Sequence, residues 1–349
     1  MINIGINGLG RIGRAILRNN LNKKYFRVVA INDINPETQN IAYQLNYDTT
    51  YGTLAERFEV VGDSLHRGDE VISVSHHRLI DEVPWEDHEV DVVIDASGVA
   101  LNVKHARNII DRQGSVEHVL VTHSPEDVDF TMVLGANETE LDPKQHRVIS
   151  SSICDATALA PVIKAVHERY GIENGYVTTL HPWLNYQNLS DGPASSWSSP
   201  GEIYHHYALG RAAIGNMIPK PTTALQATCR VLEGITEEMI GSFSYRTPTA
   251  IVGSADLTLN LKTETDALEV KKHFESLELS QTWKIFHNNE EPLVSLDFCQ
   301  SEYSAVIDHR WTSVVHGKVL KLVLWYDNEW GYSARVIDQI AYLMNKKIP

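Results

Sequence analysis

Residues 2–13 read Ile2-Asn3-Ile4-Gly5-Ile6-Asn7-Gly8-Leu9-Gly10-Arg11-Ile12-Gly13, an apolar run that breaks into three spaced glycines. A helical pattern through Arg14 to Asn20 follows, then a β-rich run from Arg27 to Ile31, closed by Asp33 twenty residues beyond Gly13. Three glycines alone are weak evidence. Strand, glycines, helix, second strand and terminal acid, in that order within about 30 residues, form the dinucleotide-binding fingerprint. Gly8 permits a tight turn, Gly10 lets backbone approach a pyrophosphate, and Gly13 lets helix and strand pack closely, while the helix N-terminus attracts the anion. Arg11 and Ile12 fall in the same turn. An acid at position 33 suits two ribose hydroxyls and repels a 2′-phosphate, so the expected cofactor is NAD rather than NADP.

Outward from this unit the alternation continues, with β-rich runs at Val90 to Ile94, Glu117 to Val121 and Arg147 to Ile149. Strands alternating with helices predict an α/β, doubly wound parallel sheet. From Tyr176 onward longer alternating runs, Ile251 to Leu261, Leu293 to Phe298 and Val319 to Trp325, predict a mostly antiparallel sheet in an α+β domain. The expected division is a Rossmann NAD-binding domain over residues 1–152, completed by a C-terminal helix over 333–349, and a catalytic and oligomerisation domain over 153–332. Between Asn185 and Tyr204 the chain is rich in Ser, Pro and Gly, which predicts a long loop.

With 30 basic and 45 acidic residues the 349-residue chain carries a formal charge of −15. That field repels phosphodiester backbones and anionic lipid surfaces, so neither nucleic acid nor membrane is an expected partner. Cys154, Cys229 and Cys299 are too few and too far apart for a disulfide framework or a zinc ribbon, which suggests a reducing cytoplasm. The N-terminus has no basic region followed by an apolar stretch, so neither export nor membrane insertion is expected. An adjacent pair, His205-His206, lacks a nearby third ligand and in extended chain points its rings apart, so no metal is expected.

Ser150-Ser151-Ser152-Ile153-Cys154-Asp155 precedes a helical run from Ala156 to Tyr170, which puts Cys154 at or just before a helix N-terminus, where the macrodipole favours a thiolate. Thr178-Thr179-Leu180-His181 ends a predicted strand, and a strand-end histidine can meet a helix-start cysteine. Alone, a buried structural role is the commoner fate of either residue.

The chain resembles the glyceraldehyde-3-phosphate dehydrogenase family over nearly its whole length. INGLGRIGR near the start, Ala30-Ile31-Asn32-Asp33, Asn46-Tyr47-Asp48, Gly98-Val99, Leu159-Ala160-Pro161, Thr178 to His181, Asn216 to Pro219, Arg246 to Thr249 and Trp325 to Ser333 fall in family order. Pro84-Trp85 and Thr122-His123 look closer to its erythrose-4-phosphate dehydrogenase branch. The resemblance implies a homotetrameric, NAD-dependent aldehyde dehydrogenase. In it Cys154 would attack the aldehyde, His181 would act as base, and a thioester would form. It also implies that Asn328 holds the nicotinamide amide, that Asp33 and Arg78 hold the adenosine side, and that Ser97 and Thr122 lie near the cofactor. Arg211, Arg246 and Thr222 match residues that bind phosphate in the family.

The pattern breaks at the nucleophile. Ile153 and Asp155 stand where relatives carry a serine and a threonine that serve the attacking inorganic phosphate. Asp155 is read either as a helix-capping carboxylate or as a group that excludes phosphate or activates water. Leu184 and Tyr186 replace a threonine and an aspartate, Gln226 replaces a common lysine, and the loop from Gly192 to Arg211 is longer than usual by about nine residues. The expected substrate is thus a small, phosphorylated aldehyde. The alternatives are oxidation of erythrose 4-phosphate or another sugar-derived aldehyde to the free acid, and an NAD-binding regulatory protein without turnover.

Overall fold

A computed structural model describes residues 1–112, 114–194 and 206–347. Trp197, Tyr204 and His205 of the long loop lie outside the described residues. The chain forms two compact units: Met1–Thr131, Leu141–Ser152 and Val336–Pro349 make the first, and Met132–Glu140 with Ile153–Arg335 make the second.

In the first unit the strands are β1 (Asn3–Asn7), β2 (Arg27–Asn32), β3 (Glu59–Val61), β4 (Ser64–Arg67), β5 (Glu70–Ser75), β6 (Val92–Asp95), β7 (His118–Val121), β8 (Phe130–Thr131) and β9 (Val148–Ser150). They form one sheet in the order β8-β9-β7-β6-β1-β2-β5-β4-β3. Every pair from β8 to β5 is parallel, as the alternating sequence predicts. The edge differs: β5-β4-β3 is an antiparallel meander, because the turns at Gly62 and Gly68, both at positive φ, reverse the chain too tightly for a crossover helix. Helices α1 (Arg11–Lys23), α2 (Thr38–Asn46) and α3 (Ala100–Asp111) link the strands. Val93, Val119, Val121 and Val148 pack with Val103 and Ala106 of α3 and with Trp85 into one apolar cluster. Trp85 lies where a Cβ on Gly5 would stand, 2.5 Å from its ring, so β1 admits that indole only with glycine at position 5.

The second unit opens with α4 (Cys154–Tyr170), a helix with an almost wholly buried body. Its strands are β10 (Ile172–Pro182), β11 (Ile218–Lys220), β12 (Ile240–Thr247), β13 (Gly253–Leu261), β14 (Phe286–Asn289), β15 (Ala305–Asp308), β16 (Ser313–Val315) and β17 (Val319–Tyr326). The sheet order is β11-β12-β10-β13-β17-β15-β14, with β16 against β17. Most pairs are antiparallel; β10-β12 and β14-β15 are parallel. Helices α5 (Ala224–Cys229) and α6 (Ala267–Ser280) complete the unit, and α4 packs against α5, β10, β13 and β15. The final helix, α7 (Trp330–Lys347), contributes residues to both units. The strand expected from Leu293 to Phe298 is instead a 3₁₀ turn over Ser295–Phe298, held by Asp297, whose carboxylate accepts from the Val294 N–H. That local side-chain bond competes with a ladder and wins.

Among the described residues no helix is long and apolar enough to cross a membrane.

Candidate active site

In the first unit, the glycine turn has the form a dinucleotide requires. Gly8 takes φ 89°, and a Cβ there would stand 2.6 Å from the Ser97 backbone nitrogen; one on Gly13 would meet the Gly8 carbonyl oxygen at 2.1 Å. A Cβ on Gly10 would meet nothing within 4 Å, so the backbone entering α1 is open to a ligand. Gly10 caps α1 without a side-chain bond, and the first turn, through Ile12, contains no acid to repel an anion. Asp33 accepts from the Leu9 N–H at 2.6 Å and from the Asn35 N–H at 2.8 Å, which fixes the carboxylate and leaves lone pairs for ribose hydroxyls. Arg11 is held against Asp48 at 2.5 Å, and Arg78 is exposed. The Ser97 hydroxyl donates to Asp95 Oδ1 at 2.6 Å and the Thr122 hydroxyl to the Asp95 carbonyl at 3.1 Å, so both protons are used within the protein. These residues fit NAD.

In the second unit, Cys154 is the first residue of α4, as its sequence context predicts. His181 is the penultimate residue of β10, and its Nε2 stands 3.6 Å from the Cys154 sulfur. The parallel register of β10 with β12 sets His181 opposite Arg246. The His181 Nδ1 lies 2.8 Å from the Pro182 carbonyl and 2.6 Å from Arg246 Nη1, which also donates to that carbonyl at 3.1 Å. A proton on Nδ1 bonds the carbonyl and leaves the Nε2 lone pair facing Cys154; a proton on Nε2 instead donates to the sulfur, with Arg246 donating to Nδ1. Burial first, then Arg246 and Lys220, lower the His181 pKa to about 4 against the pull of Asp155, so the imidazole is neutral near pH 7.

Asp155 occupies the second position of α4 and is buried. It is not the cap: Ile153 holds that position without a side-chain bond. Its Oδ1 accepts from the Tyr326 hydroxyl at 2.5 Å and lies 4.0 Å from the Cys154 sulfur, and ligand atoms of Cys154, Asp155 and His181 all fall within 4.8 Å of one another. Tyr326, at the end of β17, fits because Gly253 opposite it has no side chain; a Cβ there would stand 2.7 Å from the phenol ring. Burial and the Asp155 carboxylate push the Tyr326 phenol upward, so it stays protonated and donates. Burial, with Asp155 adding like-charge repulsion, also pushes the Cys154 thiol well above its ordinary range. The helix N-terminus alone does not make this cysteine a free thiolate. Asn328 accepts from the Val252 N–H at 3.1 Å, pinning a β-branched residue at φ 69° and leaving its amide nitrogen to donate.

The expected phosphate-binding residues separate. Arg246 is buried beside His181 and reaches the Tyr186 hydroxyl at 3.4 Å. Arg211 is exposed, with Nε on Asp191 at 2.8 Å, and Thr222 accepts from the Ala224 N–H at 3.1 Å at the start of α5. Two residues of this site carried no role in the sequence: Tyr326, within the quoted Trp325 to Ser333 stretch, and Lys220, whose signal was a lone cation between Pro219 and Pro221. Lys220 lies in the electrostatic field of Asp155, Arg246 and His181.

Residues 153–328 match the family model for the glyceraldehyde 3-phosphate dehydrogenase C-terminal domain, and residues 2–103 match that for its NAD binding domain. The chain is 36% identical over 346 residues to glyceraldehyde-3-phosphate dehydrogenase 1 of Bacillus cereus, covering 99% of each chain. It is 34% identical over 345 residues to the Geobacillus stearothermophilus enzyme, again covering 99% of each. To the cytosolic enzyme of Gracilaria gracilis it is 35% identical over 342 residues, covering 97% of each. With glycine turn, thiol and imidazole each in place and both family models matched, the chain belongs to the glyceraldehyde-3-phosphate dehydrogenase family, as an NAD-dependent dehydrogenase of that type.

Proposed function

We propose that this dehydrogenase oxidises a phosphorylated aldehyde to the free acid, and that water rather than inorganic phosphate resolves the enzyme thioester. The observation that carries this reading is the buried Asp155 carboxylate, 4.0 Å from the Cys154 sulfur. An anion at that distance disfavours an incoming phosphate dianion by a like-charge term that grows as water is excluded. Water is neutral and small, and a carboxylate can accept its proton.

Cys154 Sγ attacks the aldehyde carbon and passes its proton to His181 Nε2, which returns it to the alkoxide, giving a hemithioacetal. Bound NAD supplies a hydride acceptor. His181 Nε2 takes the hydroxyl proton as the carbon is oxidised to a thioester. With the ring neutral at working pH and its one proton on Nδ1, donated to the Pro182 carbonyl, that lone pair is available. With Oδ1 held by Tyr326, Asp155 uses Oδ2 to remove a proton from water; the C–O bond forms, the C–S bond breaks, and Cys154 leaves as thiolate. Arg246 faces the substrate's anionic end. Gly8, Gly10, Arg11, Ile12, Gly13 and Asp33 hold the dinucleotide, with Arg78, Ser97 and Thr122 beside it; the family resemblance gives Asn328 the nicotinamide amide.

A cytoplasmic homotetramer completes the proposal. It is supported by the word cytosolic in the name of the Gracilaria relative and by Tyr176 and Phe243, which are 72% and 39% exposed. The experiment is an assay of NAD reduction against phosphorylated and unphosphorylated aldehydes, without phosphate, comparing the wild type with Cys154→Ala. Reduction with a phosphorylated aldehyde that vanishes in the variant is expected; no reduction with any aldehyde overturns the reading.

A further inference from the structure

Two cations come together beside the nucleophile, and their hydrogen bonds go to neutral groups. Antiparallel pairing of β11 with β12 sets Lys220 opposite Ser244 and Ile218 opposite Arg246, which places Lys220 and Arg246 on one face of the sheet in neighbouring strands. Arg246 Nη1 lies 2.6 Å from His181 Nδ1, Arg246 donates to the Pro182 carbonyl and the Tyr186 hydroxyl, and Lys220 Nζ donates to the Pro221 carbonyl at 2.5 Å. Arg246 is only 4% exposed, and among the described residues its Nε has no acceptor. One carboxylate, Asp155 from α4, acts on Lys220, and its Oδ1 is already bonded to Tyr326. His181 from β10 is neutral. The local sum is one positive charge in excess, in a place where a buried guanidinium still has an open donor. Burial first and Arg246 second lower the Lys220 pKa to about 8, with Asp155 opposing them. An arrangement of this kind is completed by an oxyanion.

We propose that Lys220 sets substrate specificity: its ammonium, together with Arg246, receives the terminal oxyanion of the aldehyde, the role that the family resemblance implies for Arg211. The inference rests on the dehydrogenase reading for the identity of the substrate, but anion capture can be measured without turnover. Because the ammonium discharges from about pH 8, anion affinity falls as pH rises through that value.

The test is a calorimetric titration of the full-length protein with 3-phosphoglycerate, a stable phosphorylated acid, at pH 7 and pH 9. Lys220→Met is expected to weaken binding at least tenfold at pH 7, and Lys220→Arg to bind within threefold of wild type. Wild-type affinity is expected to drop between the two pH values while that of Lys220→Arg does not. In kinetics, Lys220→Met raises KM for glyceraldehyde 3-phosphate at least tenfold, and lowers kcat/KM for neutral glyceraldehyde far less than that for the phosphorylated aldehyde. Wild-type affinity in Lys220→Met, or equal losses for the anionic and neutral aldehydes, overturns the assignment. If the titrations follow expectation and no aldehyde reduces NAD, the anion site stands and the dehydrogenase mechanism fails; normal turnover with silent Lys220 variants means the reverse.

Discussion

The Tyr326 hydroxyl donates a 2.5 Å hydrogen bond to Oδ1 of Asp155, and the same carboxylate oxygen lies 4.0 Å from the Cys154 sulfur. Strand β17 thereby orients the carboxylate that follows the nucleophile in α4. Tyr326→Phe removes the bond while keeping the ring against Gly253. A hydrogen bond to a charged acceptor is worth about 1.5 kcal/mol or more, so thioester hydrolysis should slow roughly tenfold. Rapid-mixing kinetics should show an intact burst of NADH followed by the slower steady state. Loss of the burst itself would mean that Tyr326 serves acylation instead.

Cys154 should respond to pH as a thiol raised by burial and by Asp155. A raised thiol pKa places the reactive thiolate at high pH, so iodoacetamide labelling of Cys154, followed by peptide mass spectrometry, should keep accelerating above pH 9. Asp155→Asn removes the like charge and should move that rise to lower pH. Cys229, raised to about 11 by burial and Glu237, should also label faster as pH rises. A labelling plateau near pH 6 in the wild type would contradict the electrostatics described for this site.

Arg211 and Arg246 should separate on substitution. Arg211 forms an exposed ion pair with Asp191, and such pairs contribute little; Arg211→Ala should leave KM and kcat within twofold. Arg246→Ala opens a buried position beside His181 and should lower kcat/KM at least tenfold. Equal effects of the two substitutions would return Arg211 to the anion site.

How far the site could be read from sequence depended on how local each signal is. The turn from Gly8 to Gly13 is legible because its constraints lie within six residues: each glycine answers a backbone or ligand approach that a Cβ would block. Cys154 at a helix start is legible for the same reason. Lys220 is not, because its place beside Arg246 is set by the pairing of a three-residue strand with β12, and nothing within the strand specifies that partner. Arg211 shows a pairing its motif position does not announce: its guanidinium meets Asp191, twenty residues earlier in the long loop. The capping reading of Asp155 fails by two residues, since the cap is Ile153 and the contact that matters comes from Tyr326, 171 residues away.

Cofactor choice should follow Asp33, whose two oxygens are fixed by the Leu9 and Asn35 N–H groups and so cannot swing away from a 2′-phosphate. NAD should exceed NADP in kcat/KM by at least tenfold, about 1.4 kcal/mol. Equal efficiency with both would show that Asp33 does not face the ribose.

The most direct test of the thioester's fate is the steady-state rate of NAD reduction by the wild-type enzyme, measured with the best phosphorylated aldehyde in phosphate-free buffer and again with added phosphate or arsenate. The rate should be the same in both, and the product should be the carboxylic acid, because Asp155 disfavours the dianion and assists water. A rate that vanishes without phosphate, with an acyl phosphate trapped as product, would contradict the role assigned to Asp155.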